Sequence, residues 1–338
     1  MLRRRSFLAA ASLLSLGHWR NVAWAQVEFQ HTLHPLLANQ VRFLESRVSM
    51  GRVAVTTNDP IRNFKTEARL GDKHERLSID FAGTKISLDY ALTTPDCQYS
   101  IRVVDSHEVI VHRNPFPGSK QLPLMFVQPV EGRLQLLIGS GPQQREIQAG
   151  TLWHLILADR ELCRRELIPL LELLRPTWQL TNTVIDIEAK LSQWGIPVLS
   201  VTPAKVRELI DTLGSDAFAE REAAERRLAA IGPSVMPWLR RRDPLKLDAE
   251  QRDRIRKIAD VLGDAEAEDS AKGAALWLAN DPETLVLLLQ RDDIKLRRVA
   301  VERLEKLLGR PIAFDIDADE STRTAQAKAI EQQLQSEL

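Results

Sequence analysis

The sequence predicts an α+β protein: a helix, then an antiparallel β domain, then an all-α array. Three observations predict it. Apolar and polar residues alternate through much of the stretch between Arg52 and Ala149. At Thr151 the apolar spacing changes to three and four. Beyond residue 203 one helical pattern then recurs. Alternation puts every second side chain on one face of a strand, whereas spacings of three and four trace one face of a helix.

The chain opens with Arg3, Arg4 and Arg5, an apolar stretch from Phe7 to Leu16, and the small-residue site Ala23-Trp24-Ala25 before Gln26. This is the order of a cleaved export signal. The apolar stretch is too short to cross a bilayer, which takes about 20 residues. Arg4, Arg5, Phe7 and Leu8 resemble the twin-arginine core, in which two arginines and any residue precede Phe-Leu. The resemblance implies export by the twin-arginine route. Arg20 suits that route, because positive charge behind the apolar stretch hinders general secretion. An ordinary secretory signal that contains three arginines is the alternative. Either signal predicts cleavage between Ala25 and Gln26 and a periplasmic or extracellular mature protein. No cysteine stands near the cleavage site and no later apolar run reaches spanning length, so neither a lipid anchor nor a transmembrane segment is expected.

With 338 residues the chain has room for two ordinary domains. Its 46 basic and 46 acidic residues balance, and from residue 203 onward 23 basic residues meet 27 acidic ones. Neither half concentrates the positive charge that nucleic-acid binding requires. Cys97 and Cys163 are the only cysteines. They exclude a disulfide scaffold and a multi-cysteine zinc site, and leave open one disulfide or two buried thiols.

The predicted layout is an export segment over 1–25, a helix plus β domain over 26–150, connecting helices over 151–202 and a helical-repeat domain over 203–338. Phe29, Leu33, Leu36, Leu37, Val41, Leu44 and Val48 have helical spacing, and Pro35 sets a helix start near Leu36. Leu77, Ile79 and Phe81, then Ile86, Leu88, Tyr90 and Leu92, alternate with polar residues around the turn Ala82-Gly83-Thr84-Lys85, which makes a hairpin. Further strands are expected at 99–104, 108–112, 124–129, 134–139 and 145–149, in one antiparallel sheet of about seven to nine strands. Leu152, Leu155, Ile156, Leu162, Leu167, Leu170, Leu171 and Leu174 form a helical stripe that Pro176 ends. Val184 to Trp194 reads as a second helix, and Gly195-Ile196-Pro197 closes it. A short extended segment, 198–201, leads to Thr202-Pro203, a helix start with Thr as cap.

Asp216, Arg221, Ala224, Leu228 and Ile231 have the same mutual spacing as Asp292, Arg297, Ala300, Leu304 and Leu307. Arg252, Ile255, Ala259 and Leu262 form a weaker copy between them. Small alanines let neighbouring helices approach closely. Arg221 and Arg297 fall on the apolar face and need partners, expected among acidic or carbonyl groups of the same or the next repeat, with Asp216 and Asp292 the natural candidates. The stretch from Asp216 to Gly232 resembles HEAT-like helical repeats, over residues 203 to about 310. The resemblance implies an α-solenoid that binds other proteins. About three repeats is the minimum for a continuous core, so a compact bundle packed on the β half is the alternative.

No catalytic constellation emerges. His107 and His112 are five apart, where a zinc-protease helix needs four, and Val109-Ile110-Val111 favours a strand. Asp315, Asp317, Asp319 and Glu320 lack the glycine and glutamate of a calcium loop and suit a helix-capping loop. Gly139-Ser140-Gly141-Pro142 reads as a hairpin turn, and Arg240-Arg241-Arg242 as a solvated helix end. Trp153, Trp178, Trp194, Trp238 and Trp277 sit among apolar helical positions and read as packing residues. No metal or cofactor is expected. The leading expectation is a non-enzymatic exported protein that binds a protein partner through its helical half. One alternative is a periplasmic small-ligand or lipid carrier, since a helix followed by a one-faced sheet resembles the half-barrel of outer-membrane lipoprotein carriers. The other is an enzyme of unrecognised type.

Overall fold

A computed structural model describes residues 44–57, 63–83, 85–175, 177–193, 201–240, 242, 246–263 and 270–337. Within them an antiparallel β region is followed by helices, a mixed α+β architecture. The helix expected from Leu36 is overturned where it can be followed. Leu44–Ser49 is strand β1, paired with β2 (Arg52–Thr57), and residues 36–43 lie outside the described set. Leu44 and Val48 satisfy a helical spacing and a strand alternation equally, and the turn decides between them. Ser49 pairs with Arg52, so Met50-Gly51 is a two-residue loop with φ of 47° and 69°. Positive φ at both positions matches strand twist and closes a tight hairpin. Gly51 is needed for a second reason, since a Cβ there would lie 2.6 Å from Thr151.

The hairpin stands apart from one eight-stranded sheet, in which strands β3 to β10 follow one another in sequence order. They are β3 (Phe64–Leu70), β4 (Lys73–Ala82), β5 (Lys85–Thr93), β6 (Cys97–Val104), β7 (Glu108–Pro115), β8 (Leu124–Gln128), β9 (Leu134–Ile138) and β10 (Arg145–Ala149). Register aligns Leu77, Tyr90, Ile101, Val111, Phe126 and Leu136 in a single row across six strands. All six side chains are buried. The opposite face carries polar pairs such as Asp89 with Arg102, joined at 2.6 Å. Burial of one face fixes register, because a one-residue slip would turn every apolar side chain to water.

Gln128 fastens the hairpin to the sheet. Its Oε1 accepts from Val53 N–H at 2.8 Å, while its Nε2 donates to Val53 O at 2.8 Å and to His107 O at 2.7 Å. The side-chain amide thus offers β2 the donor and acceptor that a neighbouring strand would offer.

Helix α1 (Leu152–Ala158) begins where the sheet ends, and Leu152 N–H donates to Gly51 O at 2.7 Å. The expected single helix to Leu174 is interrupted. Asp159 leaves helical geometry (φ −146°, ψ 87°) and caps α2 (Arg160–Leu162). A π-helical turn follows over Cys163–Leu167, then α3 (Ile168–Leu171). Pro169 lacks the N–H that Arg165 O would accept in an unbroken α-helix, and the wider turn absorbs the mismatch. The next helix, α4 (Leu180–Leu191), starts four residues before the expected Val184. Trp194 and residues 195–200 lie outside the described set.

Thr202 caps α5 (Pro203–Thr212), its side chain accepting from Lys205 N–H with Pro203 in the first position. The remaining helices are α6 (Phe218–Ile231), α7 (Met236–Arg240), α8 (Ala249–Gly263), α9 (Ala271–Leu278), α10 (Pro282–Leu289), α11 (Ile294–Leu308) and α12 (Glu320–Glu337). Among the described residues no helix is long and apolar enough to cross a membrane.

Candidate functional site

One arginine contact recurs through the helical region. Arg221, Arg252, Arg297 and Arg323 are each the fourth residue of their helix, in α6, α8, α11 and α12. In each, Nη1 donates to the carbonyl five residues earlier: Asp216 O at 3.1 Å, Leu247 O at 3.0 Å, Asp292 O at 2.7 Å and Ala318 O at 3.0 Å. Arg221 also reaches Ser215 O at 2.6 Å, and Arg297 reaches Arg291 O at 2.7 Å and Ile316 O at 2.8 Å. The guanidinium folds back along its own helix and ties down the loop that feeds it.

The acids expected to pair with these arginines therefore contribute peptide oxygens. The Asp292 carboxylate turns instead to Arg323 Nη2 at 2.9 Å, linking α11 to α12. Ala224, Leu228, Ala300 and Leu304 are buried beside the arginines. Arg323 escaped the sequence pattern because Gln326 stands where the two clearest copies have Ala. Its spacing from the acidic loop ahead of α12 was the available signal. Between α6 and α8, Arg254 donates to Glu250 Oε1 at 2.6 Å and also pairs with Glu225.

A second cluster joins the sheet side to the helices. His154 on α1 is 3% exposed. Its Nε2 lies 2.5 Å from Asp281 Oδ2 and 2.9 Å from Thr284 Oγ1, and its Nδ1 lies 2.8 Å from Thr151 Oγ1. Asp281 also caps α10 by accepting from Thr284 N–H at 2.7 Å. Hydroxyl, imidazole and carboxylate are the groups of a nucleophilic triad. Here Thr151, Asp281 and Thr284 are all buried and Gly51 packs against Thr151, so the arrangement is a sealed joint. Sequence reasoning missed it. The signals were a histidine inside an apolar stripe and Asp281-Pro282, a helix start of the same kind as Thr202-Pro203.

A cleft of about 590 Å3 opens between the α1–α2 junction, α4 and the start of α11. At its floor Glu188 is gripped by two arginines: Arg160, and Arg291 through Nε at 2.8 Å. Asp159 and Glu161 on its rim pair with Arg145 and Arg164, each at 2.8 Å.

Glu172, just past α3, is half-buried. Burial pushes its carboxyl up to about 7, against a weaker downward pull from Leu180 N–H. An acid whose folded pKa is raised binds its proton more tightly when folded. Its contribution therefore favours the folded state at low pH and is lost as pH rises from about 4.5 through about 7. The melting temperature should fall over that window for the wild type and fall less for Glu172→Gln. Identical pH profiles would remove Glu172 as the cause.

The remaining sequence candidates resolve into structural parts. His112 lies within β7, paired with Ser100 and Met125, and His107 lies in the preceding turn, where burial lowers its pKa. Asp319 caps α12, accepting from Thr322 N–H at 2.8 Å, and Asp315 Oδ1 accepts from Asp317 N–H at 3.0 Å. No group of three or more metal-ligating side chains occurs among the described residues. Gly139 to Pro142 lies between β9 and β10, with a 3-10 turn over Gly141–Gln143. Arg242 donates to Asp211 Oδ1 at 3.0 Å, while Arg241 lies outside the described set. Trp153, Trp178, Trp238 and Trp277 are buried. Cys97 and Cys163 are buried free thiols, and burial raises the pKa of both, that of Cys163 to about 12. The signal residues Arg4, Arg5, Phe7 and Leu8 and the cleavage pair Ala25 and Gln26 lie outside the described residues. No protein-family model, no curated protein and no solved structure matches this chain.

Proposed function

We propose that this chain is an exported, non-enzymatic interaction protein whose helical region is built from HEAT-like repeats and presents the binding surface. The recurring arginine contact carries this reading. Four helices that share a position-specific tie to their own entry loop behave as copies of one unit. Stacked helical units expose extended faces that suit protein partners. Burial of the inward sheet residues from β4 to β9 supports this reading over a carrier, which needs open apolar space beneath the sheet.

The test is site-specific photo-crosslinking of the full-length protein in its own cells. Probes at Arg226 on α6 and Arg298 on α11, both exposed, should give a discrete protein adduct, and a probe at exposed Asp80 on β4 should not. Adducts from Asp80 alone, or from none of the three, would sink the proposal. Export has its own check. Intact mass of the protein recovered from the cell envelope should place its first residue at Gln26, and a chain that retains Met1 would refute cleavage.

A further inference from the structure

We draw no further inference here: the strongest candidate, the cleft of about 590 Å3 between the α1–α2 junction, α4 and the start of α11, carries nothing, because Asp159, Glu161, Glu188 and Asp292 are already paired with arginines of this chain and nothing in the structure shows what would occupy it.

Discussion

Replacing His154 with Ala should cost about 3 kcal/mol of stability, the upper end of the range for leaving buried polar groups without their hydrogen-bond partner. The imidazole is the polar bridge between Thr151, where the sheet ends, and Asp281 with Thr284, where α10 begins. Asp281 is 1% exposed, so its carboxylate depends on protein partners and the ring is one of them. The bonds to Thr284 remain and offset part of the loss. Truncation also opens a cavity beside Trp277, whose ring centre lies 6.0 Å from that of His154. Urea denaturation of His154→Ala, Asp281→Asn and the double variant separates these contributions. Non-additivity above about 1 kcal/mol is expected for groups in direct contact. Additive effects, or a loss below about 1 kcal/mol for His154→Ala, would mean that the joint is dispensable.

Arg297→Ala should be the most damaging substitution among the four recurrent arginines, at about 3 kcal/mol. Its guanidinium serves three carbonyls, those of Arg291, Asp292 and Ile316, and hydrogen bonds to a charged group are worth about 1.5–3 kcal/mol when buried. The Arg297 residue is 6% exposed, so in the folded state solvent shares little of its hydrogen bonding. Arg221 makes the same helix-to-loop contact, but its side chain is 20% exposed, and solvent can replace part of what it gives. Arg221→Ala should therefore cost less, about 1 kcal/mol. Arg297→Lys should not restore stability, because an ammonium lacks the planar fork that reaches the loops before α11 and α12 together. Thermal melts of the three variants decide the matter. Equal losses for Arg297→Ala and Arg221→Ala, or full rescue by lysine, would contradict the geometry.

Much of the fold was legible because one-sided burial writes itself into alternation. Leu77, Ile79, Ile86, Leu88, Tyr90 and Leu92 announce β4 and β5 with their register. Strand β3 was not legible, since an edge strand with exposed Lys65, Glu67 and Arg69 has little buried face to display. Leu44 and Val48 misled because their spacing fits two periods, and the deciding feature was the backbone of Met50-Gly51. The helical stripe after Thr151 concealed its interruption, because apolar side chains continue across a π turn that Pro169 alone marks. Arg221, Arg252 and Arg297 could be found from recurrence. Carbonyl partners could be expected but not assigned, since a peptide oxygen is present at every residue and no residue type singles it out. The His154 joint unites positions 127 residues apart, beyond any local pattern.

Every strand from β3 to β10 pairs only with its neighbours in sequence. Bringing such partners together closes short loops, so each pairing loses little chain entropy and the sheet can zip one strand at a time. The longer searches include those of Gln128 and the Leu152–Gly51 backbone bond for the hairpin, and of His154, Arg133 and Arg291 for the helices. A sheet of such local pairings is expected to leave the rate of assembly to the long-range closures, which refolding kinetics of His154→Ala against the wild type would test.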